Sequence, residues 1–595
     1  MDYEITPQRE AYLNARGHII LMACPGSGKT TSIVYKLGIV CDYCHNEYGS
    51  HAGVACLSFT NKACGELHEK FTLYYHRHLK FPHIISTIDS FITQQIVFPF
   101  GYLLGHWNGL PTIINDEKQL HDIYFITLVK DGKDQIIPLI KGYNNLLYKY
   151  PPEKISFDLD GFKFNNKAIP NQIKDYCKKV IEYRINKGIV TSQDILWISY
   201  VLLKKYPRIC SIISNRYPYV IIDEAQDLSK LQYMIFDQIK NNGLNNIEYI
   251  GDLCQSIYGF RNADPETLNS LCKSEDWTTL YLSENRRSNQ RIIDFFSMLM
   301  PVDIPHIKSH EVDDLNVPIV IYRYNKTNIP EIRNDFKNAC KKYGLERCII
   351  LSRGDSLCKE LSGVGGKIEF WKSTLPYVII ESQLAFSNNR IAEALRCLRW
   401  VWAELIFKNT QYKEKREFLN LHKNDIESNA MLIHCLRLMP GLNESFETWT
   451  EKAQQNLKFC FNLPLMPDFK IKKRIKDYNI KDIARTPIEQ YYSSNLLNSD
   501  YRNNIQTIHA VKGATYDAVL LFLSSDSRGG NISLKDFPKS RPNTMTEKQR
   551  LLYVALSRTT QFLAIAVPDN ISVACIEKQF KGHDIRIKSI GLLFD

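Results

Sequence analysis

The chain has 595 residues, which is too long for one hydrophobic core and predicts roughly three or four domains. Its 44% hydrophobic and 23% charged residues are ordinary for a folded protein, and no apolar run approaches the ~18 residues that span a bilayer. Lysine and arginine (75) exceed aspartate and glutamate (64) by 11, which permits a nucleic-acid groove but is equally typical of a solvated surface. The 16 cysteines are scattered and no secretory signal opens the chain, so we expect reduced thiols and a cytoplasmic location.

The first half of the chain alternates strand and helix patterns. The predicted elements are a helix at 5–17, a strand at 18–23, a helix at 30–40, and strands at 53–60, 83–91, 216–227 and 245–252. Strand, loop and helix in repetition indicate a parallel sheet with helices on both faces. Residues 92–190 break the alternation with aromatic, Lys-rich and Pro-containing segments, and we expect a mostly helical insertion there.

A second alternating region begins near residue 280. Its predicted strands lie at 280–288, 317–324, 347–353, 516–524 and 562–568. Between them, 376–499 loses strand character, and 388–407 has apolar residues at helical spacing that predict a core helix. The expected fold class is therefore α/β, with two parallel-sheet domains that each carry a mostly helical insertion. The predicted boundaries are 1–91 with 191–285, the insertion 92–190, 286–375 with 500–595, and the insertion 376–499.

Residues 23–30 read ACPGSGKT and connect the first strand to the next helix. A glycine-rich loop that ends in Lys-Thr holds phosphate oxygens with its backbone N–H groups. Gly26 and Gly28 would let the backbone curl around phosphate. Lys29 would neutralise charge on the γ-phosphoryl group, and Thr30 would bind Mg²⁺. The predicted nucleotide-binding residues of this segment are Ala23, Pro25, Gly26, Ser27, Gly28, Lys29, Thr30 and Thr31.

A later hydrophobic strand ends in IIDEAQD, residues 221–227. Paired acids directly after a buried strand supply an Mg²⁺ anchor and a residue that orients water. Asp223 is the predicted metal ligand, and Glu224 is the predicted base or water-positioning residue. Together with the phosphate loop, these acids predict nucleotide hydrolysis.

The segment IGDLCQSIYGFRNAD (250–264) resembles the GDxxQSIYxFRGAD motif of the UvrD/Rep/PcrA family of superfamily-one DNA helicases. The family's other motifs follow in the expected order along nearly the whole chain, and only the insertions resist matching. This resemblance implies two RecA-like P-loop domains, ATP and Mg²⁺ as cofactors, and single-stranded DNA as the partner.

The resemblance also assigns residues around the nucleotide. Gln8 matches the glutamine that reads adenine, and Gln255 matches the residue that senses the γ-phosphate. Arg287 in LSENRRS matches the arginine of the family's NYRS wording, and Arg558 in YVALSR matches that of YVAxTR. The expected catalytic residues are thus Lys29, Glu224, Gln255, Arg287 and Arg558.

A further segment, TIHAVKGATYDAV (507–519), resembles the family's TxHxxKGLEF. Gly513 would let the turn pass close to the nucleotide. Thr515 stands where many members have Glu, so a contact to the nucleotide sugar would come from a hydroxyl.

The resemblance implies a set of DNA-binding residues. Phe260 and Phe59 are the expected stacking platforms, and Arg261 is expected to contact phosphate or to form an internal ion pair. Asp89 in STIDSF stands where the family usually has His, which argues against a phosphate contact there. The full set of expected DNA contacts is Phe59, Thr60, Asn61, Tyr258, Phe260, Arg261, His509 and Lys512.

Two further features concern metals and partners. Cys41 and Cys44, with His45, His51 and Cys56 nearby, could form a zinc site or be incidental cysteines of a loop. We expect no fused nuclease after the last predicted strand, so DNA cleavage would need another subunit.

The leading functional hypothesis is an ATP-dependent translocase on single-stranded DNA that moves from 3′ to 5′ and unwinds duplex at junctions, as in DNA repair. The alternative is a nucleic-acid sensor within a nuclease-containing complex, since the compact insertions resemble the helicase partners of anti-phage systems such as Gabija. An RNA-directed helicase is a third possibility, because discrimination of the 2′-OH cannot be read from these motifs.

Overall fold

A computed structural model describes most of the chain. The described residues are 4–104, 107, 109–113, 179, 185–257, 263–310, 312, 314–354, 357–358, 361, 370–407, 415, 418–419, 421–422, 425–472, 480–489, 504–525 and 530–590, with the backbone of 125–130 and 133–138. They divide into two compact units, one within 1–325, 335–348 and 508–595 and the other within 326–334 and 349–507. Among these residues, no helix is both long and apolar enough to cross a membrane.

A six-stranded parallel sheet forms the centre of the first α/β domain. The strands described up to residue 283 are β1 (His18–Ala23), β2 (Val54–Ser58), β3 (Ile84–Thr87), β4 (Thr112–Ile113), β5 (Phe125–Lys130), β6 (Lys133–Pro138), β7 (Ile189–Val190), β8 (Tyr219–Ile222), β9 (Asn246–Gly251) and β10 (Thr278–Leu282). Six of them pair in parallel in the order β10-β1-β9-β8-β2-β3. The predicted parallel sheet is confirmed.

Helices pack on both faces of this sheet. They are α1 (Pro7–Asn14), α2 (Lys29–Tyr48), α3 (Asn61–Tyr75), α4 (Ile88–Ile92), α5 (Phe98–Phe100), α6 (Ser192–Lys205), α7 (Pro207–Arg216), α8 (Lys230–Asn241) and α9 (Pro265–Leu271). Alternate residues of β1 enter two different cores: Ile20 and Met22 pack in one, and Leu21 and Ala23 in the other. Because both faces are covered, β1, β2, β8 and β9 are continuous buried runs rather than alternating ones.

The region 92–190 contains two small strand pairs in the part that the structure describes. Strand β4 pairs in parallel with β7, and β5 pairs antiparallel with β6. Between α4 and α5 the chain forms a π-helical turn, Thr93–Val97. Most of 114–184 lies outside the described residues, so the helical character of this insertion stays a prediction.

The second α/β region begins with β11 (Glu284–Asn285), α10 (Gln290–Ser297), β12 (Lys308–Ser309), β13 (Ile319–Tyr324), α11 (Ile329–Lys342) and β14 (Cys348–Ser352). Strands β11 and β12 form a short parallel pair. Residues 284–288, which include the predicted catalytic residue Arg287, therefore lie next to the end of β10.

The second unit is mainly helical. Its elements after β14 are α12 (Leu375–Ser387), α13 (Ile391–Ile406), α14 (Ile426–Leu438), α15 (Phe446–Cys460), α16 (Ile480–Arg485) and β15 (Ile505–Thr507), which pairs in parallel with β14. Helix α13 buries Ala394, Leu398 and Val401 in an aromatic-rich core, which confirms the predicted core helix. Trp402 packs against that core, whereas Trp400 is 36% exposed.

The last elements return to the first unit. They are β16 (Tyr516–Phe522), α17 (Glu547–Leu556), β17 (Thr559–Pro568), α18 (Val573–Gln579) and β18 (Ile585–Ser589). Within this unit, strands pair in parallel in the order β16-β17-β13-β18. A second parallel sheet is thus present, as the sequence predicts.

Candidate active site

A cavity of about 500 Å³ lies at the carboxyl edge of the first sheet. Cys24, Ser58 and Asp223, which line it, follow or end the strands β1, β2 and β8. Parallel strands bring their carboxyl ends to one edge, where α/β folds bind ligands. The volume is in the range of small-molecule sites.

The cavity brings together residues that are far apart in the sequence. All five predicted catalytic residues line it, and so do most of the predicted nucleotide ligands: Ala23, Pro25, Gly26, Gly28, Lys29, Thr30, Thr31, Glu224, Gln255, Arg287, Gly513, Thr515 and Arg558. Ser27 lies behind this surface and is buried. One chemical site therefore receives residues from the beginning, the middle and the end of the chain.

Two glycines shape the loop between β1 and α2. Gly26 has φ +74° and Gly28 has φ +79°, a left-handed conformation that side chains disfavour. A Cβ on Gly26 would lie 2.5 Å from Cβ of Arg287, and one on Gly28 would lie 2.8 Å from Nη2 of Arg9. The loop leads directly into α2, whose first-turn N–H groups have no intrahelical acceptor and suit phosphate oxygens.

Two buried side chains that sequence reasoning missed hold this loop and its neighbour. Nη2 of Arg9 donates to the carbonyl of Ser27 at 3.0 Å. Oδ1 of Asn285 accepts from the backbone N–H groups of Arg287 at 2.7 Å and Ser288 at 2.8 Å. Arg9 directly follows Gln8, the predicted adenine-binding residue, and Asn285 is the first residue of the NRRS motif. These positions within motifs are the sequence signals by which the two residues could have been found.

Lys29 is paired with both acids of the DEAQD segment. Its Nζ lies 2.9 Å from Oδ1 of Asp223 and also contacts the carboxylate of Glu224. Burial opposes the charged lysine, but the two carboxylates outweigh it and raise the pKa of Lys29. Burial alone would raise the pKa of Glu224, yet Lys29 and Lys512 together hold it below its usual range. Glu224 is thus ionised, as a proton acceptor must be.

Glu224 has a strained backbone and a supported side chain. Its φ is +55°, a conformation uncommon for a non-glycine residue and often found at functional sites. Nε2 of Gln226 donates to its Oε2 at 2.5 Å, and Oε1 of Gln226 accepts from the backbone N–H of Asp252 at 3.0 Å. Gln226 thereby ties the base candidate to the segment that follows β9.

Two arginines reach the cavity from the second α/β region. Nη2 of Arg558 donates to Oε1 of Gln255 at 2.9 Å, and Nη1 of Arg287 donates to the carbonyl of Ser557 at 3.1 Å. Burial and the neighbouring Arg558 lower the pKa of Arg287, and burial lowers that of Arg558. An anionic ligand between them would relieve this cost, which suits a site for phosphate.

Lys512 connects the C-terminal part of the cavity lining to the DEAQD segment. Its ammonium contacts Oδ2 of Asp227, and the side chains are only 10% and 1% exposed. Asp227 ends the DEAQD segment, whereas Lys512 precedes the cavity-lining Gly513. This contact places Lys512 beside the acids of the DEAQD segment. The expectation that Lys512 approaches DNA remains a prediction.

Thr30 and Asp223 provide a donor set that fits Mg²⁺. Both line the cavity, and a hydroxyl with a carboxylate offers the hard oxygen ligands that Mg²⁺ prefers. Among the described residues, no cluster of three or more His, Cys, Asp or Glu side chains could hold a metal by itself. Thr30 and Asp223 are therefore the residues of this cavity that would hold Mg²⁺.

Gln8 lies outside the lining of the cavity, on α1. Its Nε2 donates to Oγ of Ser283 at 2.9 Å, and its Oε1 accepts from the backbone N–H of Ser283 at 2.9 Å. These two hydrogen bonds hold the side-chain amide of Gln8 against Ser283, which lies three residues before Arg286 in the sequence. The adenine-reading role remains a prediction.

The predicted DNA contacts are distributed unevenly. Phe59 and Thr60 line the same cavity as Lys29, and Oγ1 of Thr60 caps α3 by accepting from the N–H of Ala63 at 3.2 Å. Asn61 is the first residue of α3, and His509 lies in a short 3₁₀ turn. Tyr258, Phe260 and Arg261 lie outside the described residues. Asp89, the departure from the family wording, accepts from Nε2 of Gln232 at 2.9 Å.

The cysteines at 41 and 44 are core residues. The predicted helix over 30–40 runs on to Tyr48, so Cys41 and Cys44 lie on α2 rather than in a loop and pack in a hydrophobic core. Burial raises the pKa of the Cys44 thiol to about 12. A buried, protonated thiol is a poor zinc ligand, and the described residues contain no zinc-type cluster.

Comparison with known proteins agrees with this site. Residues 5–276 match the UvrD/REP helicase N-terminal domain, and residues 466–569 match the UvrD-like helicase C-terminal domain.

Several curated relatives are helicases. A putative ATP-dependent DNA helicase, YjcD, of Bacillus subtilis is 22% identical over 95% of this chain and 79% of its own length. The ATP-dependent DNA helicase PcrA of Staphylococcus aureus is 23% identical over 94% of this chain and 82% of its own. The ATP-dependent DNA helicase Rep of Buchnera aphidicola is 26% identical, but over 66% of this chain and 60% of its own. The two matched domains show that the chain belongs to the UvrD/Rep family of ATP-dependent DNA helicases, and its two parallel sheets agree with this.

Proposed function

We propose that this protein is an ATP-driven translocase that moves 3′ to 5′ on single-stranded DNA and separates duplex at junctions. The observation that carries the proposal is the cavity that Lys29, Glu224, Arg287 and Arg558 line together. A site whose residues come from two α/β regions can couple phosphate chemistry to relative movement of those regions.

Hydrolysis would begin by breaking the pairing of Lys29. Lys29 is held by Asp223 and Glu224, so a γ-phosphate would compete with two carboxylates for its ammonium. Once Lys29 turns to phosphate, Glu224 is free to accept a proton from water as that water attacks the γ-phosphorus. The bond from this phosphorus to the β-phosphate oxygen breaks, and ADP leaves.

The charge on the phosphoryl group would be met from both walls. Arg558 and Arg287 line the same cavity as the phosphate loop, and a guanidinium can bind two phosphate oxygens at once. Thr30 and Asp223 are the residues that would hold Mg²⁺, which when bound would supply further positive charge beside the phosphates.

Coupling to DNA would pass through Gln255. Its Oε1 accepts a hydrogen bond from Nη2 of Arg558, and its Nε2 donates to Oδ2 of Asp252 at 2.8 Å. Residues 258–261, which carry the predicted aromatic contacts, follow three positions later. Loss of the γ-phosphate would free Arg558, alter the Gln255 contacts and so change the grip on DNA.

The test is ATP hydrolysis by the purified chain without polymer, with single-stranded DNA, and with single-stranded RNA. Lys29→Ala serves as the control for contaminating ATPases. Strong stimulation by DNA that disappears in the variant is the expected result. Hydrolysis indifferent to both polymers would contradict an autonomous motor and favour a sensor that needs a nuclease partner.

A further inference from the structure

The loop before β3 and the helix before β8 form a surface at the amino edge of the first sheet. Residues 76–83 lead into β3, residues 49–53 lead into β2, and α7 ends shortly before β8, which neighbours β2. The nucleotide cavity lies at the carboxyl edge of the same sheet, so a ligand here would leave the catalytic residues accessible. We call this region the amino-edge surface and define it by Phe81, Arg208, Ile212 and Arg216.

Two large apolar side chains are exposed on the amino-edge surface. Phe81 is 77% exposed and Ile212 is 53% exposed. The other isoleucines of α7, Ile209 and Ile213, are buried in the core, so Ile212 lies on the outer face of the helix. An arginine stands one helical turn before Ile212 and another one turn after it. Exposed aromatic and aliphatic side chains among arginines are typical of the surfaces with which proteins bind each other.

The charge of the amino-edge surface is positive. Segments 76–83 and 207–216 contain four Lys and Arg residues and no Asp or Glu. Nη2 of Arg77 lies 3.8 Å from Oδ1 of Asp42, which partly neutralises it. Within the described ranges, the two arginines of α7 have no such partner. A ligand that complements this surface must therefore bring negative charge together with apolar area.

Neighbouring loops hold the amino-edge surface in one conformation. The N–H of Gly53 donates to the carbonyl of Arg216 at 2.9 Å, and the N–H of Val54 donates to Nδ1 of His83 at 3.1 Å. A Cβ on Gly53 would lie 2.2 Å from the carbonyl oxygen of Pro82, so the close approach of these loops requires glycine. Because the surface is already ordered, a partner that binds it loses little affinity to loop ordering.

Arg216 joins the loop to the helix. Its guanidinium carbon lies 4.6 Å from the centroid of the Phe81 ring, and its Nη1 donates to the carbonyl of His51 at 2.8 Å. These contacts hold the exposed ring beside α7. They leave the remaining guanidinium N–H groups for a carboxylate of a partner.

We propose that the amino-edge surface binds a partner protein through an acidic segment that carries apolar side chains. Carboxylates of the segment pair with Arg208 and Arg216, and its apolar side chains cover Phe81 and Ile212. A nucleic-acid backbone would complement the arginines but would leave both apolar side chains in water, so a peptide is the better match. The inference goes beyond the proposed function and does not depend on it.

The experiment measures the fluorescence anisotropy of a short fluorescein-labelled peptide titrated with the full chain. In this peptide, aspartates and glutamates flank a central leucine and phenylalanine, and saturable binding is expected. Phe81→Ala should weaken binding roughly ten-fold, as for a truncated interface aromatic, and Arg208→Gln about three-fold, as for an exposed ion pair. The matched controls are Val302→Ala, at a position that is 57% exposed, and Lys308→Gln on β12; both should keep the original affinity.

Several results would overturn the inference. Equal binding of a peptide with serines in place of the apolar pair, or a loss in Lys308→Gln equal to that in Arg208→Gln, would mean general charge attraction. Duplex DNA whose affinity falls in Phe81→Ala as the peptide's does would make this a nucleic-acid surface. The absence of saturable peptide binding would also refute it. ATP hydrolysis should be the same in Phe81→Ala as in the original chain, and a loss would contradict the separation of this surface from the cavity.

Discussion

The buried ion pair between Lys36 on α2 and Glu248 on β9 allows a quantitative prediction about stability. Both side chains are 0% exposed, and Nζ lies 3.4 Å from Oε1. The carboxylate accepts from the hydroxyls of Tyr12, at 2.9 Å, and Tyr219. Nζ also donates to the carbonyls at the end of α1, 2.7 Å from that of Tyr12 and 2.5 Å from that of Ala15. The cluster thus joins the phosphate-loop helix, the helix with Arg9, and the strand that leads to Gln255.

Glu248→Gln removes the counter-charge and leaves an ammonium buried. Breaking a buried pair in this way costs about 3–5 kcal/mol. The α1 carbonyls still solvate Lys36, and the new amide oxygen still accepts a hydroxyl, so we expect a cost near the lower limit, about 3 kcal/mol. Lys36→Met combined with Glu248→Gln removes the stranded charge, so the double variant should be more stable than Glu248→Gln alone.

The assay is urea unfolding followed by circular dichroism, with Glu331→Gln on the exposed start of α11 as the matched control. The midpoint of the first unit's transition should fall in Glu248→Gln and recover in the double variant. A loss below about 1 kcal/mol in Glu248→Gln, within the range of an exposed pair, would refute the assignment of a buried, charged cluster.

The pH dependence of the same lysine is an independent check. Burial lowers the pKa of Lys36 from 10.5 to about 8, despite the opposing charge of Glu248. Between these two values the unfolded chain binds more protons than the folded one, so this group's contribution to the free energy of unfolding rises with pH. Lys36→Met should flatten stability over that window. An unchanged slope would contradict the lowered pKa.

Two predictions concern catalysis. Glu224→Gln should lower kcat for ATP by roughly 10²–10⁴-fold because the proton acceptor is lost. Nucleotide affinity should stay equal or improve, since Lys29 loses a competing carboxylate. Steady-state kinetics with a separate binding titration would show this, and a large loss of affinity would contradict it. Arg558→Ala should lower kcat by about 10³-fold or more, and Arg558→Lys should rescue it poorly because a lysine cannot bind two oxygens in a fork; full rescue by lysine would show that charge alone suffices.

Local sequence patterns predicted the framework of the fold. The apolar run HIILMA and the glycines that follow it specify a strand, a turn and a helix within one short segment, and the structure has β1, the phosphate loop and α2 there. The apolar runs at 317–324, 347–353, 516–524 and 562–568 predicted the second parallel sheet. The predicted end of α2 at residue 40 was wrong. Cys41 and Cys44 were expected in a loop, whereas they pack against the core and the helix continues to Tyr48.

The supporting contacts could not be predicted in the same way. Arg9 with Ser27, Lys36 with Glu248, and Glu4 with Arg286 are each a charged residue and a distant partner, and no local pattern specifies such pairs. Each depends on how elements distant in the sequence pack together, which only the assembled fold defines. A single Arg or Lys in a sequence is equally compatible with a solvated surface.

The most direct test of the motor hypothesis is translocation on single-stranded DNA. Stopped-flow fluorescence with a dye at the 5′ end of oligonucleotides of increasing length should show an ATP-dependent arrival phase whose lag grows with length, and Lys29→Ala should abolish it. The same oligonucleotides labelled at the 3′ end should show only length-independent departure. A lag that grows with length toward the 3′ end would reverse the proposed direction, and no length dependence at either end would contradict a translocating motor.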